Sequence, residues 1–397
     1  MSQLVKKEYR LPFIMVATLF FLWGFARAIM DVLNKHFQTV MDISISQSTL
    51  VQGAFFLGYF LWAIPAGVFL NKYGYRRGMV MGLLIFGLGC LLFLPGERIM
   101  SFPFFLFTMF VIASGLVFLE VAANPYMTEL GDPETAASRL NLAQSFNGLG
   151  NICGPWLGGV LLFSGGAASI SMPYAVMGVA VVLIALSFSK MKLPEIKTEQ
   201  VSAAADDGGY RSLLRNRLFL FGFIALIFYE IAEISINSLF INYAERVRGI
   251  DPAAASRLLS FGFLLFMCMR FVGSGVMSRV RAELVLLVCA IGTVVCCALV
   301  FLNVGQLSLY ALIANYAFEA IMFPTVFSLS LSGLGSLTKR GSSILMLTPI
   351  GGAIGTMLMG LLADVVSLSA AFIVPLIGYA VMVAYAWRME RHTTFSQ

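Results

Sequence analysis

The sequence predicts an all-α membrane protein of twelve transmembrane helices, arranged as two pseudo-symmetric bundles of six. Three observations carry this prediction. The chain has 397 residues, of which 59% are hydrophobic and only 12% charged, whereas a soluble domain carries about 25% charged residues. Its main solvent is therefore lipid. The apolar residues gather into runs close to the ~20 residues that span a bilayer. One long polar stretch divides those runs six and six.

The runs centre on 12–32, 47–70, 78–94, 102–130, 140–163, 172–188, 218–243, 257–277, 284–302, 307–334, 342–362 and 369–387. The first follows Lys6 and Lys7 and has no small-residue cleavage site after it, so it reads as a retained helix and not a signal peptide. The second ends at a basic loop, Lys72 to Arg77, and the third before Pro95. The fourth carries Glu120 and Pro125, and the fifth is rich in amides and glycine behind Arg139. The sixth stops at Lys190. The stretch from Lys190 to Arg217 holds Pro194, an Ala-rich acidic piece ending at Gly208-Gly209, and several basic residues. It reads as a cytoplasmic linker (191–217) between bundles 1–190 and 218–397. The seventh run carries Glu230 and Glu233, the eighth Arg270 and the tenth Glu319 with Pro324. The ninth is wholly apolar after Glu283, the eleventh follows Lys339-Arg340, and the twelfth closes at Arg388.

The net charge of +6 does not point to nucleic acid, because the basic residues form no soluble face. They follow the positive-inside rule. With the N-terminus inside, Lys6, Lys7, Arg76, Arg77, Lys190, Arg211, Arg279, Lys339 and Arg388 fall on the cytoplasmic side. Lys35, Arg98, Arg246, Arg248 and Arg257 fall outside, and Arg27 and Arg270 within the membrane. Both termini are expected in the cytoplasm. Cys90, Cys153, Cys268, Cys289, Cys296 and Cys297 lie in apolar runs and read as packing residues. His36 and His392 have no ligand-like spacing. No metal cluster, nucleophile motif or soluble catalytic domain is visible, so an enzyme is not expected, and neither is a cofactor.

The two halves echo each other. Glu120 precedes Pro125 by five residues, as Glu319 precedes Pro324. Gly67-Val68 ends the second run and Gly275-Val276 the eighth, each before a basic loop. Two six-helix repeats around a central site is the build of the major facilitator superfamily. The segment from Gly67 to Arg77 resembles that superfamily's loop between helices two and three, with Asn71 where the usual residue is Asp. The resemblance implies a gating role for Arg76 and Arg77.

More specific stretches resemble the fucose–proton symporter family, which includes fucose, glucose/galactose and N-acetylglucosamine permeases. They are Phe20-Phe21-Leu22-Trp23-Gly24 with Asp31, the segment Glu120 to Tyr126, and Arg139-Leu140-Asn141-Leu142-Ala143-Gln144-Ser145-Phe146-Asn147. Phe323 to Ser328 and Gly351-Gly352-Ala353 match in the second half. The resemblance implies that Asp31 and Glu120 serve substrate binding and proton coupling, and that Gln144, Asn147, Tyr229 and Glu233 belong to the site. The family carries asparagines around the first-helix carboxylate, where this chain has Ala28 and Met30 and adds Arg27.

Each candidate has a blander reading. A charge at mid-membrane costs on the order of 2.5–3.5 kcal/mol on insertion scales, so such residues mark pathways, and burial favours a carboxylate's neutral form. Asp31 is also spaced for a fixed ion pair with Arg27, four residues back. Arg27 itself reads as that partner, or as a bidentate anchor for a sialic or uronic acid. Arg270 reads as a tether near the cytoplasmic gate. Asn141, Gln144, Asn147 and Asn151 form an amide stripe on one helix face. Amides suit sugar hydroxyls and equally serve as interhelical glue, and Asn124 fits either role. Tyr229, Glu233 and Asn237 share a face, with Glu233 and Glu319 read as cavity-lining or as partners of Arg270. Trp23 is set either to stack on a pyranose or to pack. Gly150, Gly154, Pro155, Gly158 and Gly159 resemble the fifth-helix motif of proton-coupled drug antiporters, and small residues also serve helix packing.

The expectation is a monomeric transporter of the bacterial inner membrane, importing a monosaccharide with a proton through a midplane cavity, sodium being the other candidate ion. Its rivals are an importer of acidic sugars, a drug–proton antiporter and a non-transporting sugar receptor.

Overall fold

The computed structural model describes residues 5, 9–130, 136–163, 170–190, 212–213, 215–277, 279–332, 334 and 337–395. The central part of the expected linker, 191–211, lies outside them. Among the described residues the regular structure is helical, with no strand. The chain forms two compact units, one of residues 1–41 and 54–202, the other of residues 42–53 and 203–397.

The helices are α1 (Arg10–Met41), α2 (Ile45–Ser48), α3 (Leu50–Tyr73), α4 (Tyr75–Leu91), α5 (Phe93–Ile99), α6 (Phe102–Glu129), α7 (Ala136–Phe163) and α8 (Ser171–Lys190). In the second half they are α9 (Arg217–Arg248), α10 (Pro252–Met277), α11 (Ala282–Phe301), α12 (Gly305–Glu319), α13 (Met322–Leu331), α14 (Thr338–Leu345), α15 (Ile350–Val365) and α16 (Ile373–Phe395). Eleven stretches among the described residues are long and apolar enough to cross a membrane. The twelfth expected span is α7, a full-length helix of 28 residues. Its four stripe amides lower its apolar character, which is why length and composition alone pass it over.

In the first unit α1 packs along α7, and α4 against α6 and α8. Glycine sets these distances. A Cβ on Gly24 would stand 2.2 Å from the Asn147 carbonyl oxygen, and one on Gly150 would stand 2.2 Å from that of Phe21. A Cβ on Gly154 would meet Ala28 at 2.9 Å. The glycine motif of α7 is therefore the floor of the α1 crossing, as small residues are wherever helix backbones touch in lipid. Between α4 and α6, Gly82 and Gly115 play the same part: a Cβ on Gly115 would lie 2.3 Å from the Phe86 nitrogen. Ala66, Val117 and Phe118 make a buried apolar cluster, against which Tyr59, Ala63, Phe69, Ile85 and Val121 pack. Large apolar side chains such as Ile64, Val68, Val176 and Leu183 stay exposed, as expected where lipid is the solvent.

In the second unit α11 packs on α16 and α12, and α9 on α15 and α16. The segment that starts the second span belongs to this unit. Ser44 caps α2 in a capping box with Gln47. Asp364 of α15 accepts from the amides of Ile45 at 3.2 Å and Ser46 at 2.8 Å.

Prolines break the spans of this unit. Pro324 has no N–H to give the Ala320 carbonyl four residues back, and the helix interrupts there between α12 and α13. Pro349 likewise leaves Leu345, whose carbonyl accepts instead from the Thr348 hydroxyl at 2.8 Å. The halves are not identical here, since Pro125 lies inside the continuous α6.

Candidate substrate and proton site

In the first unit α1 presents Trp23, Arg27 and Asp31 at four-residue spacing, one above another on one face. Helix α3 brings Tyr59, α6 brings Glu120 and Asn124, and α7 brings the amides. Glu120 lies close to Arg27 and to the Tyr59 hydroxyl. Sequence spacing gives no sign of this, because Arg27 and Glu120 lie on different helices. The Arg27 guanidinium carbon lies 5.8 Å from the centre of the Phe56 ring, a cation–π distance. Asp31 is 5% exposed and lies near Tyr174 of α8.

The amide stripe divides. Asn147 donates to the Phe20 carbonyl at 3.2 Å, joining α7 to α1, and accepts from Asn151 one turn along α7 at 3.2 Å, so both its polar atoms are engaged. Gln144 donates to the Asn124 carbonyl oxygen at 3.4 Å, at the long end of hydrogen-bond distances. Asn141 is exposed. At the start of α4, Arg76 donates to the Ser189 carbonyl at 3.2 Å, and Arg77 is exposed.

In the second unit Tyr229 is buried on α9, its ring centre 6.2 Å from that of Phe323. Around it lie Glu233, Glu319, Glu230 and Arg270. Glu319 is 1% exposed and accepts from Asn315 at 2.8 Å and from the Tyr379 hydroxyl. Asn315 also donates to Tyr379 at 3.1 Å. Asn237 accepts from the Tyr316 hydroxyl at 2.7 Å. Arg270 donates through Nε to the Ala320 carbonyl at 3.1 Å and stacks 4.7 Å from the Phe266 ring centre. That carbonyl is the one Pro324 leaves without a helical donor. Arg270 is thus the cap of a broken helix, a bond that sequence spacing could not show.

The Major Facilitator Superfamily model matches residues 13–348. The chain belongs to the major facilitator superfamily. A glucose/galactose transporter of Brucella abortus is 35% identical over 390 residues, covering 96% of this chain and 94% of that protein. An L-fucose-proton symporter of Escherichia coli is 33% identical over 408 residues, covering 96% and 93%. The crystal structure of the superfamily transporter FucP, in the outward conformation, matches with a TM-score of 0.72 at 32% identity, over 96% of this chain and 99% of that one. This superfamily member is therefore a multi-pass membrane protein, and the carboxylates and amides described above stand in a transporter framework. Sequence reading missed Tyr59, Tyr174, Tyr316 and Tyr379, since a tyrosine in an apolar run carries no signal of its hydroxyl's partner. Asn315 was within reach: it lies four residues before Glu319, the spacing of side-chain pairs on a helix.

Proposed function

We propose that this chain imports a monosaccharide by proton symport through alternating access, in the cytoplasmic membrane of a bacterium with both termini inside. The observation that carries this reading is its end-to-end likeness to the L-fucose-proton symporters and glucose/galactose transporters. The geometry agrees with it. Glu120 beside Arg27 and Tyr59 is a carboxylate that can take a proton and give up its guanidinium. Protonation removes a buried charge, whose uncompensated form is costly in low dielectric. Asp31, one helical turn from Arg27, is the second carboxylate of the coupling pair, binding substrate and setting the charge around Glu120, which carries the single proton. Gln144 and Asn124, joined by a long bond, are the amides of the first unit freest to turn toward sugar hydroxyls, with Asn141 and Asn147 beside them on α7; in the second unit Tyr229, Glu233, Asn237 and Glu319 are the substrate-binding candidates. The protein works as a monomer, without a cofactor.

An acidic substrate is disfavoured by the same geometry. Glu120 already stands beside Arg27, so a substrate carboxylate would compete with it for one guanidinium. The α7 glycines, which resembled an antiporter motif, are accounted for by the α1 crossing.

The test is the external pH of lightly buffered, energy-depleted cells expressing the protein. Fucose, galactose, glucose, N-acetylglucosamine and sialic acid are added in turn. A neutral sugar is expected to alkalinise the medium. Silence with every sugar, despite correct expression, overturns the reading.

A further inference from the structure

Where α9 ends, the second unit holds an open cleft of about 540 Å³, with Arg246, Phe301, Asn303, Ser367, Leu368 and Ser369 in its walls. Two arginines of the last turn of α9 behave differently there. Arg248 donates to the Tyr243 hydroxyl at 3.1 Å and to the Asn303 side-chain oxygen, and its guanidinium lies 5.6 Å from the Tyr243 ring centre. A cation in a last turn answers the helix dipole, and Arg248 is fastened in that role. Arg246 is exposed and has no hydrogen-bond or ion-pair partner among the described residues.

The other polar walls are set to donate. Asn303 stands at a left-handed φ of 52° in the turn between α11 and α12, a conformation in which asparagine is enriched. Its oxygen is taken by Arg248, which leaves its NH2 to offer. The Ser367 hydroxyl accepts from the Ala370 amide at 3.1 Å and keeps its proton. Ser369 makes no capping bond to the short helical turn that follows it. No carboxylate lines the cleft. A free guanidinium among donors suits an anion, and nothing in these walls would pair with an ammonium.

The cleft also borders apolar surface. Leu302 and Val304 flank Asn303, and Val365 and Val366 lead into Ser367. All four are exposed, Val365 by 80% and Leu302 by 66%. A small free anion would use the donors alone, whereas a phospholipid uses both surfaces. We propose that this cleft seats an anionic phospholipid with a glycerol headgroup. Its phosphodiester rests on Arg246, since a guanidinium can meet two phosphate oxygens in parallel. Its glycerol hydroxyls meet Ser367, Ser369 and Asn303, and its acyl chains lie along the exposed leucine and valines.

The experiment titrates the full chain, purified in detergent, with phosphatidylglycerol or phosphatidylcholine, and counts bound lipid by native mass spectrometry. Thermal unfolding is followed in parallel, with inorganic phosphate at matched ionic strength as a further arm. Wild type is compared with Arg246→Gln, Arg246→Lys and Arg257→Gln. Arg257 is exposed near the start of α10, expected on the same side of the membrane, but does not line the cleft. Phosphatidylglycerol is expected to bind wild type in preference to phosphatidylcholine and to raise its melting temperature. Arg246→Gln should weaken that binding about tenfold or more, the effect of losing one charge-assisted contact. Arg246→Lys should weaken it less, because it keeps the charge without the fork. Arg257→Gln should bind as wild type does. Without lipid Arg246→Gln should melt as wild type does, since the guanidinium has no partner to lose. Equal binding of the two lipids overturns the proposal, as does an equal loss in Arg246→Gln and Arg257→Gln, which would mean diffuse charge attraction. Inorganic phosphate that stabilises wild type as well as phosphatidylglycerol does, and fails to stabilise Arg246→Gln, would make the cleft a small-anion site and overturn the lipid. Arg246→Gln that melts lower without lipid yet binds phosphatidylglycerol normally would give Arg246 a structural role only, and overturn it too.

Discussion

Two residues carry opposite kinds of charge, and each makes its own prediction. Glu120 stands beside Arg27 and Tyr59. Its amide analogue keeps the shape and resembles the protonated acid, but cannot release a proton. Glu120→Gln is therefore expected to exchange internal for external sugar in a counterflow assay at near wild-type rate. It should fail to accumulate sugar against a gradient and show no sugar-induced alkalinisation. Accumulation that survives the change would remove Glu120 as the carrier. Arg270 caps the Ala320 carbonyl at 3.1 Å, and Ala320 is fully buried. Arg270→Met keeps apolar bulk and leaves that carbonyl unpaired, a cost of roughly 1–3 kcal/mol. Arg270→Lys, with a single donating head, should recover part of it. The check is the melting temperature of the two variants: Met below Lys, and Lys below wild type. Equal melting of all three would mean that the cap does not bear on the break.

At the scale of elements, glycine decides how close the helices come, and the contrast between two glycines is testable. Alanine is better than glycine in a helix interior by about 1 kcal/mol. Gly67 has nothing within 4 Å of its would-be Cβ, so Gly67→Ala should leave the melting temperature unchanged or raise it. Gly150 would bring a Cβ to 2.2 Å from the Phe21 carbonyl oxygen and 2.7 Å from the Phe25 nitrogen. Backbone atoms cannot turn aside as a side chain can, so the helices must part. Overpacking costs typically 1–3 kcal/mol and should outweigh the propensity gain, and Gly150→Ala should melt lower. Opposite signs at the two sites are the signature to look for. The same contrast explains what the sequence could and could not show. Apolar runs marked the spans because lipid admits only helices whose backbone bonds are internal. The Glu–Pro echo revealed the repeat. It did not reveal that Pro125 sits in a continuous helix while Pro324 interrupts one, since that depends on whether neighbours such as Arg270 take up the freed carbonyl. Glu120 was legible as a costly charge, whereas its neighbours on α1 and α3 were not, because their nearness is set by glycine contacts between distant segments. Asn147 was legible as an amide on a stripe, and its bond from Asn151 follows the four-residue spacing of that stripe, but its bond to Phe20 belongs to the packed pair and not to either helix alone.

For the whole molecule the question is how much charge crosses the membrane with each sugar. Moving one elementary charge through 100 mV supplies about 2.3 kcal/mol, and about 1.4 kcal/mol is a factor of ten. One proton with a neutral sugar therefore supports roughly fiftyfold accumulation at ~100 mV. The accumulation ratio should change tenfold for each ~60 mV of imposed potential. Two protons, one on Asp31 and one on Glu120, would make that step ~30 mV. A sugar acid entering with one proton moves no net charge, and its accumulation would ignore the potential altogether. Proteoliposomes with potassium-diffusion potentials, equal pH on both sides and a radiolabelled neutral sugar distinguish these cases by slope. The expected slope is that of one charge, because Glu120, with the guanidinium of Arg27 beside it to exchange for a proton, carries the single proton of the cycle. Collapsing the proton-motive force with a protonophore should return the ratio to one. A slope of zero with a neutral sugar would end the proton-symport reading, and a doubled slope would make Asp31 a carrier in the same cycle as Glu120.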